Sequence, residues 1–277
     1  MMKKVSIKNL NDKIDIIVNN TKYVCGNDYE AKDKIKKVLI NTFNRVSASE
    51  YGENNNKTEL LIDDEPISLN DYMFFYIDTN FDLNQDIKLG TKSISLEYIN
   101  SLFDNIEYSD EYQTINNLLI DFLENIIEEN DNLIKPNIEC ILTKKLLIKM
   151  IELKILYDDY IVNNYDLTLE EKILLQLRMI KQISLKTTKK ILLLVDCPII
   201  SKTIKNTIEN LNVMSIILFE KIAREYIPDL LILDDIRIDT LDENAIFELC
   251  NSNKNAYLNI TTMKEKLMED YLFTRFI

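Results

Sequence analysis

Residues 191–220, ILLLVDCPIISKTIKNTIENLNVMSIILFE, decide the fold. Ile191 to Val195 is an unbroken apolar run closed by Asp196, the pattern of a strand buried on both faces. Ser201 then opens a helix whose apolar residues Ile204, Ile208 and Leu211 recur at helical spacing. Met214 to Glu220 is a second buried strand. Strand, helix, strand is a βαβ unit with a right-handed crossover, so a parallel sheet is expected.

Working outward, Leu230 to Leu233 reads as a last strand. From about Asp242 the tail reads as two short amphipathic helices. Upstream, Ile14, Ile16 and Val18 alternate with polar residues. Asn19-Asn20 is a turn, and Tyr23-Val24-Cys25 is a short strand. Gly26-Asn27-Asp28 breaks it. A lysine-rich helix follows, with Ile35, Val38 and Leu39 on its apolar face. Residues 47–59 form a polar loop. Leu60 to Ile62 is a strand, and Met73 to Asp78 reads as a central strand buried on both faces.

From about Glu111 the period becomes helical. Tyr112, Ile115, Leu118, Leu119, Phe122, Ile126 and Ile127 are expected to form one face of a long helix. Ile138 to Ile155 suggests a second helix. Thr168-Leu169-Glu170-Glu171 is a capping box opening a third. The domain plan is therefore an α/β head over 1–110 and 184–240, an inserted helical leg over 111–183, and a helical extension over 241–277.

Composition limits the chemistry. Among 277 residues there is no His, which removes Ser-His-Asp triads, Cys-His dyads and His metal sites. The four cysteines (Cys25, Cys140, Cys197, Cys250) form no CxxC and read as reduced thiols of a cytoplasmic protein. Met1 to Leu10 lacks the apolar core of a signal peptide, and the longest apolar runs are too short to span a bilayer. The net charge is −13, but it is segmented. Residues 1–45 are net +5, 46–134 net −17, 135–205 net +5 and 206–277 net −6. A bulk negative charge argues against nucleic acid, whereas two basic blocks predict a polarised surface.

Three constellations carry possible chemistry. The segment after the first head strand, Cys25 to Lys32, stands where a phosphate loop would sit. It has one Gly, no GK[ST] and two carboxylates, so NTP hydrolysis is not expected. Asp196 resembles a Walker-B carboxylate, but a lone strand-end Asp is more often a turn or cap residue. Asp121, Glu124, Glu128, Glu129 and Asp131 form an acidic cluster that suits either a hard cation or a solvated helix face. The basic blocks supply Lys32, Lys36, Lys37, Lys144, Lys145, Lys149, Lys154, Lys186, Lys189, Lys190, Lys202 and Lys205. Lysine over arginine suits point-charge contact with a phosphate backbone, and it equally suits plain solubility.

In this order the elements resemble the ring-forming, DNA-end-binding adaptation proteins of type II-A CRISPR systems (the Csn-two family). The resemblance rests on the strand-to-helix passage Ile14 to Leu39 without a phosphate loop, and on Asp78 followed by Phe81-Asp82-Leu83-Asn84. It continues through Leu123-Glu124-Asn125, Leu185 to Val195, Met214 to Glu220, Arg224 and Pro228 to Asp234. It spans roughly residues 10–240. The 47–59 loop, the 131–165 stretch and the tail after Ile238 depart from the compact members.

The resemblance implies an NTPase-like head stripped of catalysis, a helical leg, and a homotetrameric ring holding double-stranded DNA ends on its lysines. It implies Ca²⁺ on the acidic cluster, with Asp121, Glu124, Glu128, Glu129 and Asp131 as candidate ligands. For DNA it implies Lys32, Lys36, Lys37, Lys144, Lys145, Lys149, Lys186, Lys189 and Lys190. The implied role is non-catalytic spacer acquisition with the CRISPR integrase proteins and effector nuclease, with no membrane partner. Two other readings stand beside it. One is a divergent metal-dependent nucleotidase or nuclease using Asp78 and Asp196. The other is an acidic protein-interaction module. On the first reading Lys36, Lys149 and Lys189 should share a surface.

Overall fold

The computed structural model describes residues 2–9, 12–44, 59–83, 93–104, 106, 109–130, 142–157, 160–222, 227, 229–234, 237–252 and 260–268. The chain divides into two units. One holds Met1–Phe81, Thr168–Leu177 and Thr187–Ile277; the other holds Asp82–Leu167 and Arg178–Lys186.

The first unit begins with β1 (Lys3–Asn9), β2 (Asp12–Val18), β3 (Thr21–Cys25) and α1 (Tyr29–Asn44). Next come β4 (Glu59–Ile62), β5 (Glu65–Pro66) and β6 (Tyr72–Ile77). In β1, Val5 and Ile7 are buried between polar neighbours, an alternation that the sequence reading passed over. The turn at Asn19-Asn20 is present, but β2 and β3 do not pair. β2 pairs with β1 in an antiparallel sheet ordered β2-β1-β4-β5, whereas β3 enters a second sheet.

The second unit contains α2 (Ile94–Leu102), α3 (Asp110–Asn130), α4 (Lys144–Met150), β7 (Ile155–Tyr157) and β8 (Tyr160–Val162). The expected helix over 138–155 is thus a short helix followed by a hairpin. The β-branched and aromatic residues flanking Asp158-Asp159 favour strands over a continued helix. On α3 that apolar face is only partly buried. Tyr112 and Asn116 are buried, with Leu119 half-buried, while Ile115, Leu118 and Phe122 are 50, 63 and 60% exposed. Asn116 is tolerated inside because its Oδ1 accepts from the Leu142 N–H at 3.1 Å, and the Tyr112 hydroxyl donates to the Leu142 carbonyl. The side chains of Ile126 and Ile127 lie outside the described residues.

α5 (Leu169–Ser184) gives its first half to the first unit and its remainder to the second. Its capping box is made as expected: the Glu171 carboxylate accepts from Thr168 N–H at 2.8 Å, and Thr168 Oγ1 accepts from Glu171 N–H at 3.3 Å.

The first unit then resumes with β9 (Lys190–Asp196), β10 (Ile199–Ile200), α6 (Lys202–Glu209), β11 (Met214–Leu218) and β12 (Lys221–Ile222). It ends with β13 (Leu230–Leu233), β14 (Arg237–Asp239), α7 (Glu243–Ser252) and α8 (Ile260–Met268). Ser201 caps α6 as expected, accepting from Ile204 N–H at 3.2 Å while donating to Glu170 at 2.6 Å.

The main sheet runs β14-β13-β3-β11-β9-β6, with every neighbouring pair parallel except β13 with β14. β6 is therefore an edge strand, not a central one. An apolar run cannot distinguish the two, and here part of its burial comes from Phe74 stacking on Phe43 of α1 at 4.7 Å. Ile35, Val38 and Leu39 of α1 pack with Val5, Ile7, Ile14 and Ile16 of the small sheet. The same core takes Leu192, Leu194, Ile216 and Leu218 from the main sheet. One helix thus seals a core shared by two sheets, and this fixes the loop before it. Among the described residues no helix is long and apolar enough to cross a membrane.

Candidate functional site

Parallel strands deliver their carboxyl ends to one edge, where ligands of α/β proteins bind. Here β6, β9 and β11 end around a cavity of about 410 Å³ that α1 also lines. Its lining includes Tyr29, Lys36, Tyr76, Asp78, Asp196 and Glu220. The strand register delivers Asp196 and the β6 end together, since Tyr76 is paired with Leu194 and Ile77 with Val195. The loop after β6 is pinned by buried Gln176, whose Nε2 donates to the Asp78 carbonyl at 3.2 Å. Asn80 N–H donates to Asp78 Oδ1 at 3.0 Å.

Lys36 Nζ donates to Asp196 Oδ2 at 2.6 Å, and the Tyr76 hydroxyl donates to the same oxygen at 3.2 Å. Lys36 also lies 5.3 Å from the Tyr76 ring centroid. Burial pulls the Lys36 pKa down, but its hydrogen bonds to Asp196 and Tyr76 and the Asp196 charge outweigh this and hold it above the ordinary 10.5. Burial pushes Tyr76 up to about 12. Next to Asp196, burial and that carboxylate's charge push the Cys197 thiol up to about 12, so it is protonated and unreactive at neutral pH.

The helix entry beside this cavity is occupied by the chain's own groups. Asp28 Oδ1 accepts from Ala31 N–H at 2.9 Å, and the Asp28 N–H donates to the Leu233 carbonyl at 3.0 Å. Gly26 has φ +112°, and a Cβ there would stand 1.9 Å from the Leu233 oxygen. The loop is thus a tight passage closed by a carboxylate, with a capping anion already at the helix N-terminus.

Within the first unit, the lysines expected at DNA do not form one surface. Lys32 is 8% exposed and lies 4.8 Å from the Tyr29 ring centroid. Lys36 is tied to Asp196, and exposed Lys37 pairs with Asp33 at 2.5 Å. These three stand on α1. Lys189 and Lys190 are exposed at the amino end of β9, with Lys190 Nζ 5.7 Å from the Tyr72 ring centroid. Lys36 reaches the carboxyl end of the same strand, roughly 20 Å away at about 3.3 Å per residue. The expectation that Lys36 and Lys189 share a face is therefore corrected: β9 separates them. In the second unit, Lys145 and Lys149 are exposed on α4 and Lys144 is half-buried, while Lys186 Nζ donates to the Ser101 carbonyl at 2.6 Å.

Of the acidic cluster, Asp121 is exposed and Glu124 half-buried, one helical turn apart on α3. The Glu128 and Glu129 side chains and all of Asp131 lie outside the described residues. Among the described residues no three carboxylate or thiol groups converge on a metal position. Tyr76 and Tyr72 are contributors that the sequence reading missed, because both sit in or beside an apolar run taken as core. Their hydroxyls were the available signal.

No family model matches the chain, and no curated protein matches it. Among solved structures it is similar to Stu0660 of Streptococcus thermophilus. The TM-score is 0.66 at 16% identity, covering 90% of this chain and 80% of that one. It is also similar to the recombination mediator protein RecF of the RecFOR pathway in two nucleotide-bound forms. Those TM-scores are 0.47 and 0.41 at 13% identity, covering 86% of this chain and 98 and 99% of those chains. The likeness to Stu0660 shows a shared fold; the RecF likenesses are too loose to carry functional weight.

Proposed function

We propose that this protein is a non-catalytic, double-stranded DNA-end-binding protein of CRISPR spacer acquisition, working as a calcium-supported homotetrameric ring in the cytoplasm. The observation carrying the reading is the fold shared with Stu0660, a CRISPR protein of the Csn-two family, over nine-tenths of the chain. The collinear sequence resemblance points to the same family.

Three features of the chain support the parts of this reading. For the lack of catalysis, Asp28 fills the helix entry that a phosphate would need, and Lys36 neutralises the carboxylate that would hold a metal. For self-association, Ile115, Leu118 and Phe122 leave an apolar stripe on α3. For calcium, Asp121 and Glu124 present hard oxygen donors of suitable chemistry on one helix. CRISPR integrase proteins and the effector nuclease are the partners that the family reading supplies.

Gel shifts with linear and covalently closed circular duplexes, with and without calcium, test the reading. Retention of linear DNA alone supports it. Equal, negligible binding to both sinks it, and Mg²⁺- or Mn²⁺-dependent cleavage would replace it with the nuclease reading.

A further inference from the structure

The amino edge of the main sheet gathers lysines around one tyrosine. Lys3 at the start of β1 and Lys190 at the start of β9 each place Nζ 5.7 Å from the centroid of the Tyr72 ring. Lys3 Nζ also reaches the Tyr72 hydroxyl at 3.4 Å. The arrangement is set by register: Tyr72 is paired with Lys190 across β6 and β9, and the Lys190 N–H donates to the Asp71 carbonyl at 2.9 Å. Exposed Lys189 precedes it, its N–H donating to Thr187 Oγ1 at 3.2 Å.

Elsewhere in this unit many lysines are neutralised at home. Lys4 and Lys13 meet Asp15, Lys22 meets Asp229 and Asp239, Lys36 meets Asp196, and Lys37 meets Asp33. Among the described residues, no carboxylate oxygen lies within 4 Å of the Lys3, Lys189 or Lys190 ammonium, although exposed Asp71 is adjacent in sequence to Tyr72. Lys3 meets Tyr72 at its hydroxyl and Lys190 meets its ring, so one side chain gathers two cations that attract an anion. A run of phosphodiesters meets several lysines at once and needs no base recognition.

We propose that Lys3, Tyr72 and Lys190, with Lys189 beside them, form a contact for the phosphate backbone of double-stranded DNA at the amino edge of the main sheet. The inference rests on the DNA-binding reading above and names where this unit meets the backbone. Lys3 and Tyr72 lie outside the lysine set expected from the sequence. Tyr72 acts as a positioning residue that gathers the two cations.

The test is binding of the full chain to a linear duplex across a salt series, with calcium. The variants are Lys3→Gln with Lys190→Gln, Lys3→Arg with Lys190→Arg, Tyr72→Leu, Tyr72→Phe, and the exposed control Lys8→Gln. Thermal melting of each variant reports folding. The double glutamine variant is expected to weaken binding by on the order of tenfold and to flatten the log-affinity against log-salt slope by about one per lost contact. The double arginine, Tyr72→Phe and Lys8→Gln variants should bind as wild type, and Tyr72→Leu should weaken binding. If wild type binds and the folded double glutamine variant keeps its affinity and slope, this site is wrong while the DNA reading stands. If wild type binds no duplex in any condition, the DNA reading falls and the site with it.

Discussion

Lys36 Nζ, on the third turn of α1, lies 2.6 Å from Asp196 Oδ2 at the end of β9. In enzymes that use a strand-end carboxylate for phosphoryl transfer, that group holds a divalent cation. Here an internal ammonium takes that place, and the Tyr76 hydroxyl fills a further lone pair. Both partners are about a third exposed, 33 and 36%, so the pair neutralises the cavity more than it stabilises the fold.

Lys36→Met should therefore cost only about 0.5–1 kcal/mol, a fall of about 1–4 °C in melting temperature. Calorimetry of the two proteins at neutral pH checks this. A loss as large as that of a buried pair would mean that Asp196 is left without solvent access.

The fold should be labile to base. Burial raises Cys25 and Cys197 from 9.0 to about 12 and Tyr76 from 10.0 to about 12; Asp196 adds to the shifts of Cys197 and Tyr76. Lys36 also stands above its ordinary 10.5. In each case the unfolded chain loses its proton first, so the native state holds more protons and stability falls as pH rises. The Lys36 contribution is complete below about pH 10.5 and is lost as pH climbs through its folded value. Urea midpoints should drop progressively between pH 9 and 12. Cys25→Ser with Cys197→Ser should flatten the first part of that fall, and Tyr76→Phe the later part. A midpoint constant to pH 12 in wild type would refute the assignment.

Lys22 should behave oppositely to Lys36. It is fully buried in β3, with Asp229 Oδ1 at 2.7 Å and Asp239 Oδ1 at 2.5 Å. Lys22→Met leaves two carboxylates facing each other away from water, a loss of about 3–5 kcal/mol. Adding Asp229→Asn and Asp239→Asn should recover part of it, because an uncompensated charge, more than the missing bond, carries the cost. Denaturant titration of the single and triple variants measures this. Equal stability of Lys22→Met and wild type would count against a buried charge cluster.

The contrast between these lysines also shows what the sequence could reveal. The βαβ unit, the capping box at Thr168 and the helix cap at Ser201 were legible because each depends on neighbours within a few residues. Lys22 was not. Inside TKYVC it looks like the polar end of a strand, and its partners arrive more than 200 residues later. The same limit hid the edge position of β6, since pairing order depends on which distant strand claims each side. Composition did suggest two basic blocks, but charge counts carry no direction. Lys36 and Lys189 stand at opposite ends of β9, and carboxylates from other elements neutralise Lys4, Lys22 and Lys36 of the first block.

Gly26 should tolerate no side chain. Its φ of +112° is open to glycine, and a Cβ would fall 1.9 Å from the Leu233 carbonyl oxygen, a backbone atom that cannot swing aside. Gly26→Ala should cost at least about 2 kcal/mol or abolish soluble expression. Gly52→Ala, in the polar 47–59 segment, is the comparison. Unchanged melting of Gly26→Ala would show that β3 and β13 can part at no cost.

The apolar stripe of α3 offers the test of assembly. Ile115, Leu118 and Phe122 follow one another at spacings of three and four, so they lie along one side of the helix, and each is at least half exposed. Covering a side chain of this size is favourable by about 1.5–3 kcal/mol when complete. Three such groups in every subunit supply a substantial driving force for pairing. Leu118→Asp with Phe122→Asp would place two charges in that contact while leaving buried Tyr112 and Asn116 untouched. Light scattering should then show a lower mass than wild type at equal concentration, with melting temperature preserved. Asp121→Asn with Glu124→Gln should lower the mass only when calcium is present, since it removes candidate ligands and no apolar area. A monomeric wild type in calcium would sink the ring. An aspartate variant that keeps the wild-type mass would move the subunit contact off α3.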